Sequence, residues 1–129
     1  MEVLLRAALL AWLAGSPEMS AMVSTITEEK PARPTLPWLS IASSAAIDWS
    51  TKTEVGQEVR IALELQCRGD LPDAAASLVT AIDAHVRSLP AAQTGFAIVG
   101  RQFMRSRSEQ RSPTTRAILM EYRFRTQSN

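Results

Sequence analysis

Apolar and polar residues alternate most cleanly between Trp38 and Arg68. Leu39, Ile41, Ala45, Ile47 and Trp49 share one face of an extended segment, with Trp38, Ser40, Ser44 and Asp48 on the other. After a polar break carrying Gly56, Val59, Ile61, Leu63, Leu65 and Cys67 lie opposite Glu58, Arg60, Glu64, Gln66 and Arg68. A period of two over this length predicts a hairpin of two strands with one buried and one polar side. The period returns after Gly95, where Phe96, Ile98, Gln102 and Met104 alternate less cleanly with Ala97, Val99, Arg101, Phe103, Arg105 and Arg107. Ser106 to Thr115, with Ser108, Ser112 and Pro113, reads as a turn or mobile loop. In the last strand Ile118, Met120, Tyr122 and Phe124 oppose Ala117, Leu119, Glu121, Arg123 and Arg125, and the short connection before it suits an antiparallel pair.

Helical spacing governs two other stretches. Near the start, Leu5, Leu9, Trp12 and Leu13 fall on one stripe that Gly15, Ser16 and Pro17 end. Arg6 followed by an apolar run has the outline of a secretory signal, but Glu2 offsets the charge, the run is too short to cross a bilayer, and a retained helix is expected. Met19 to Ile26 reads as a brief strand or a second helical turn. From Glu28 to Pro37, Pro31, Pro34 and Pro37 remove backbone donors and predict a loop. Gly69-Asp70-Leu71-Pro72 is a break with Asp70 as candidate N-cap and Asp73 in the first turn. From Pro72 to Leu89, Ala75, Leu78, Val79, Ile82, Val86 and Leu89 recur on one helical face, with Asp83, His85 and Arg87 off it, and Pro90 stops the helix.

The expected fold is α+β, one domain over residues 1–129: a mainly antiparallel four-stranded sheet with an N-terminal helix and a central helix packed on one face. An apolar content of 46% with 21% charged residues fits an ordinary globular chain, neither disordered nor membrane-spanning. The net charge of +1 hides an asymmetry. Residues 1–100 carry seven Lys/Arg against eleven Asp/Glu, whereas residues 101–129 carry seven Arg against only Glu109 and Glu121.

Reactive chemistry is sparse. Cys67 is the sole cysteine and falls on the apolar face of its strand, as a small core residue does. His85 is the sole histidine, near a helix end, and is expected to have no partner Cys or Ser placed to act with it and to be a surface residue. Catalysis needs a nucleophile, a base and an orienting group within reach of one another. Neither such a set nor a phosphate-cradling Gly-rich loop nor a Cys/His zinc cluster occurs, so no catalytic residue, cofactor or metal is expected.

The order of elements carries a resemblance. A Pro-rich loop, an extended segment ending in Asp48-Trp49-Ser50-Thr51-Lys52-Thr53, an alternating strand, a polar break and an Ala-rich helix together resemble the tail-completion, or tail-terminator, proteins of long-tailed bacteriophages and gene transfer agents. The match runs over nearly the whole chain, and the Asp48–Thr53 run is its most specific part. The resemblance implies a non-enzymatic virion protein, assembled in the bacterial cytoplasm. Such proteins form rings, usually hexamers, that cap the tail tube, end its polymerisation and join it to the head connector, with DNA passing through and no membrane involved. Trp49, Ser50, Thr51, Lys52 and Thr53 are then the candidate tube-contact loop. Arg60, Glu64, Arg68, Arg101, Arg105, Arg123 and Arg125 on the polar sheet face are the candidates for the channel wall.

Read without the resemblance, the same residues allow a solvated sheet face with cross-strand Glu–Arg pairs worth ~0.2–1 kcal/mol each. They also allow a small nucleic-acid-binding module using the Arg-rich C-terminal hairpin, although aromatics for base stacking are few. A small secreted enzyme, suggested by the signal-like start, lacks a catalytic set.

Overall fold

The computed structural model describes residues 1–29, 35–69 and 72–129, of residue 72 the backbone alone. The elements in order are helices α1 (Glu2–Ala14) and α2 (Pro17–Met22), strands β1 (Thr25–Thr27), β2 (Trp38–Asp48) and β3 (Gly56–Arg68), helix α3 (Pro72–Arg87), and strands β4 (Ala92–Gln93), β5 (Phe96–Ser112) and β6 (Thr115–Ser128). Both readings of residues 19–26 are realised, α2 first and β1 after it. Ser16 caps α2 by accepting from the Met19 N–H at 3.3 Å, with Pro17 in the first turn, where a missing N–H costs nothing. The expected N-cap Asp70 and the prolines Pro31 and Pro34 lie outside the described residues.

The expected four-stranded sheet is corrected to six strands in the order β1-β2-β3-β6-β5-β4. The four long strands are the predicted ones and pair antiparallel. The additions are short pieces at the two edges: β1 runs parallel to Trp38–Ser40, and β4 pairs with Phe96 and Ala97. Three- and two-residue strands carry too little alternation to be read from a sequence. The predicted loop from Ser106 to Thr115 is likewise corrected. β5 continues to Ser112, leaving only Pro113 and Thr114 between the strands. Its polar residues are strand residues exposed on both sides, which composition alone presents as loop.

One side of the sheet is covered by the helices. Leu5, Leu9 and Leu13 of α1 and Ala75, Leu78, Ile82 and Val86 of α3 are buried against Val59, Ile61, Leu63 and Leu65 of β3 and Met120, Tyr122 and Phe124 of β6. Apolar surface removed from water at ~25 cal/mol per Å² makes this layer the main source of stability. Trp12, expected on the buried stripe, lies at its flank, 37% exposed, with its indole N–H donating to the His85 carbonyl at 2.8 Å.

Bulges redirect the outer strands. Ala42 is an extra residue in β2, so the alternation set by Leu39 and Ile41 is inverted beyond it. Ser44 then faces α1, where its hydroxyl accepts from Arg6 Nη1 at 3.1 Å and donates to Glu2. Ile47, expected to be buried, is 62% exposed on the opposite side, and Ala45 is exposed with it. β5 bulges at Val99, Met104 and Arg111. These explain its blurred pattern: Arg101 and Phe103 share the helix side with Phe124 and Tyr122, while Arg105 and Arg107 share the other with Glu121 and Leu119.

Tyr122 ties the two layers together. Its hydroxyl donates to Asp83 Oδ1 of α3 at 2.7 Å, its ring meets Phe103 edge-on with centroids 5.5 Å apart, and Asp83 also accepts from Arg87 at 2.8 Å. Burial first, and the Asp83 hydrogen bond second, push the Tyr122 phenol well above its ordinary value. The unfolded phenol releases its proton near pH 10 and the folded one does not, so this contribution to stability is complete below pH 10 and declines as pH rises beyond it. Tyr122→Phe is expected to lower the unfolding free energy by about 1 kcal/mol at pH 7. It should also lose less further stability than the parent between neutral pH and pH ~10.5, measured by urea unfolding. At Gly56, an added Cβ would meet backbone oxygens of Trp49 and Thr126 at 2.8 and 2.9 Å. Gly56→Ala is therefore expected to destabilise by about 1–3 kcal/mol in the same assay.

Candidate functional site

The side of the sheet away from the helices is charged across β3, β6 and β5, with uncharged Ser43, Ala45 and Ile47 of β2 beside them. At one end, Glu58 of β3 is the hub. Its carboxylate lies 3.4 Å from Arg125, 3.8 Å from Arg123 and 4.0 Å from Arg60, and its side chain is only 10% exposed. The register explains this: Glu58 pairs directly with Arg125, and Arg60 with Arg123, across the β3–β6 ladder. Arg123 also donates to Gln102 Oε1 on β5. Midway along, Arg105 of β5 makes two hydrogen bonds to its β6 partner Glu121, at 2.7 and 3.1 Å. The Arg105 hydrogen bond holds the Glu121 carboxyl below the usual carboxylate range, and the reciprocal bond raises the Arg105 guanidinium.

The far end curls over. Arg111, the third bulge of β5, reaches across β6 to Glu64 of β3 at 3.1 Å and holds Glu109 at 2.6 Å. Beneath it Gln66 donates to Glu64, while Trp38 donates through its indole to Thr27 at 3.1 Å. Trp38, Ser40 and Gln66, polar-side positions by alternation, are thereby buried. Between the two ends lies an open trough of about 580 Å³ lined from β2 by Ser43 and Ala45, from β3 by Arg60 and Ala62, and from β5 and β6 by Met104, Arg105 and Glu121.

At the Glu58 end the chain leaves the sheet through residues 49–55. The turn is internally braced: the Thr51 N–H donates to Glu54 O at 2.9 Å, Thr51 Oγ1 accepts from the Glu54 N–H at 3.1 Å, and Ser50 Oγ accepts from the Gly56 N–H at 3.1 Å. Trp49 is half-buried, with the Arg125 guanidinium 5.2 Å from its ring centroid, a cation–π contact. Ser50, Thr51, Lys52 and Thr53 are exposed. Arg125 thus links this loop to the Glu58 hub.

Of the residues singled out from the sequence, Arg60, Glu64, Arg105, Arg123 and Arg125 are gathered on this surface, with Arg68 exposed at the end of β3 opposite Thr115. Arg101 is not among them: it points to the helix side, where Nη1 donates to the Val86 and Arg87 carbonyls at 2.9 and 3.0 Å and neutralises the C-terminal end of α3. Partial burial pulls its guanidinium below its ordinary value. Sequence reasoning passed over Arg111 and the role of Glu58. The opposite-charge pairing of Glu58 with Arg125 would follow from aligning the two strands, but Arg111 reaches Glu64 only because of a bulge. His85 is occupied structurally. The Ala81 carbonyl can only accept, which puts the proton on Nδ1 at 2.9 Å and leaves Nε2 facing the Ser16 hydroxyl at 2.8 Å; the expectation that no serine partners it is thus corrected, because the packing of α1 and α2 on α3 brings in a serine 69 residues away. Among the described residues no group of three His, Cys, Asp or Glu side chains is placed to hold a metal.

Ion pairs on a sheet face and a braced loop do not by themselves name a function. The comparisons with known proteins supply the family. The family described as "Tail completion protein gp17" matches residues 7–127, and the chain belongs to that family: it is a structural protein of a virion tail, not an enzyme. Among solved structures, a chain of the "Virion of native gene transfer agent (GTA) particle" shares the fold with a TM-score of 0.76, at 20% identity over 95% of this chain and 94% of that one. No curated protein matches the chain.

The hub and the midway pair differ in burial, and that difference is measurable. Glu58→Gln leaves three arginines around a neutral, largely buried amide and is expected to cost about 1–3 kcal/mol. Glu121→Gln breaks an exposed pair and is expected to cost less than about 1 kcal/mol. Urea denaturation of the two variants beside the parent checks the order.

Proposed function

We propose that this protein is the terminator of a phage-like tail of the gene-transfer-agent kind. Copies close into a ring, read as a hexamer, that caps the head-proximal end of the tail tube, stops its polymerisation and offers a docking surface to the head connector. The charged sheet face lines the passage through which DNA moves. The observation that carries this reading is the state of the arginines on that face: Arg60, Arg105, Arg111, Arg123 and Arg125 each lie within 4.0 Å of a glutamate. DNA binding strengthens with each phosphate neutralised by a free cation, and affinity of that kind would hold the DNA in place. Arginines partly compensated by carboxylates keep the wall cationic enough to tolerate DNA while leaving little to bind it, and no side chain is arranged to read bases.

The loop at residues 49–55 suits contact with the tube end. It projects from the sheet terminus, its backbone is braced by its own hydrogen bonds, and Lys52 and Val55 are exposed on it. The competing reading, a nucleic-acid-binding module, loses some support from the same ion pairs, which partly compensate Arg105, Arg111, Arg123 and Arg125 of its hairpin.

Negative-stain electron microscopy of the purified protein at high concentration, with and without the particle's own tail tube protein, tests the proposal. The expected result is open-centred rings, or a cap on one end of tubes of limited length. Monomers under both conditions, beside tubes of unlimited length, would overturn the capping role.

A further inference from the structure

The outer edges of the sheet are open over long, matching stretches. Among the described residues, β1 covers only Trp38–Ser40 of β2, and β4 with Ala91 covers only Phe96–Ile98 of β5. The backbone groups on the outer side of Ile41–Asp48 and of Val99–Ser112 therefore have no strand beside them. The rows of the sheet put these stretches at the same height. Ile41 lies in one row with Leu63, Met120 and Ser106, and Asp48 in one row with Gln57, Thr126 and Ile98. The guard strands sit at opposite ends, so neither blocks the middle.

Edges of this length are usually defended by charge, proline or bulges. The β5 edge has three bulges and Arg101, Arg105, Arg107, Glu109 and Arg111 along it. The β2 edge has one bulge, at Ala42, but from Leu39 to Ile47 every residue is uncharged and none is proline. The edges also carry apolar surface that the inner strands do not. The large apolar side chains exposed on the sheet are Ile47 on β2, at 62%, and Val99 and Met104 on β5, at 49% and 39%. β3 and β6 expose none. Strand direction completes the match. β2 and β6 run one way, β3 and β5 the other. Rotation of a copy about an axis lying along the strands preserves direction, so the next copy's β2 meets β5 antiparallel, as the long strands within one copy already do.

We infer that copies of this chain join through strand addition, the outer edge of β2 in one copy against the outer edge of β5 in the next, with Ile47, in one row with Glu58, Arg125 and Gly100, packed beside Val99 of that neighbour and Met104 level with Ser43 and Ser44. The contact is heterologous, each copy using two unlike edges, which is the arrangement that closes a ring. This inference rests on the ring reading above and adds which surfaces form its seam.

A double variant, Ile47→Cys with Val99→Cys, tests it in the full chain mixed with tail tube protein, oxidised mildly and resolved on a denaturing gel without reductant. Met104→Cys in place of Val99→Cys covers a stagger of the strands. The expected result is a disulfide-linked ladder at least tenfold stronger than in any single variant; native Cys67, buried in the core, stays out of it. A dimer of equal strength from one single variant would mean that like edges meet, and overturns the inference. Rings under the microscope without a ladder from either pair would overturn the seam and leave the ring standing. Wild-type protein forming no rings would remove both. Independently, Ile47→Lys should fold with an unchanged Tm and require at least tenfold more protein to form rings; rings at the wild-type concentration would overturn the seam.

Discussion

The unbroken ladder between β3 and β6 is the constraint on which the other features depend. Thirteen residues of β3 pair one to one with β6, from Gly56 opposite Gln127 to Arg68 opposite Thr115, with no bulge. A shift of one residue would turn every side chain on a strand to the wrong side. The buried rows Val59–Phe124, Ile61–Tyr122, Leu63–Met120 and Leu65–Ile118 fix the register from the helix side. Once that register is fixed, the opposite side follows without further choice: Glu58 must stand beside Arg125, and Arg60 beside Arg123. The charge arrangement on one face is thus a by-product of hydrophobic packing on the other.

The outer strands are held less strictly. β2 and β5 each pair on one side with this ladder and, among the described residues, over most of their length with no strand on the other, and all the register shifts of the long strands fall in these two pairs. A bulge needs a neighbour only on one side to be tolerated, which is why bulges concentrate at edges. Their effect is directional. Ala42 sends Ser44 inward to the Glu2 and Arg6 side chains of α1 and turns Ile47 outward. Val99 sends Arg101 toward the end of α3, where it meets the Val86 and Arg87 carbonyls of the last turn.

This division decides what the sequence made legible. The strands β3 and β6 are regular, and every position that alternation put on the helix side, from Val59 to Cys67 and from Ile118 to Phe124, is buried; Ala62 and Gln66, on the other side, are buried too. The helix stripes were legible for the same reason, because Leu5, Leu9, Leu13 and Ala75 to Leu89 keep a constant period. The failures fall where the period breaks: Ile47 and Ala45 beyond the Ala42 bulge, Arg101 between two bulges, and the polar half of β5, whose Ser and Arg content imitates a loop. β1 and β4 escaped because their pairing is set by neighbours rather than by a pattern of their own. For the charged surface, the strand faces were legible and the partners were not. Pairing Arg111 with Glu64 needs the curl of the sheet, and a linear sequence contains no measure of curl.

The curl and the charge pairing bear on the same physical problem. A cationic face of this size, left uncompensated, would repel itself across neighbouring strands, where like charges directly opposite destabilise the sheet. Arg60 and Arg123 are such an opposed pair. Glu58 lies between them and Arg125 within 4.0 Å of all three and turns mutual repulsion into shared attraction. Being largely shielded, that carboxylate acts through a lower effective dielectric than water, so its pull on each arginine exceeds that of an exposed pair such as Arg105 with Glu121. The face can therefore carry a high density of arginines and remain a stable sheet. Under the proposed reading this matters for passage as well as for folding. The carboxylates are part of the protein, unlike counterions, and are not released when a phosphate approaches, so each arginine offers a phosphate only the part of its field that its glutamate leaves uncompensated.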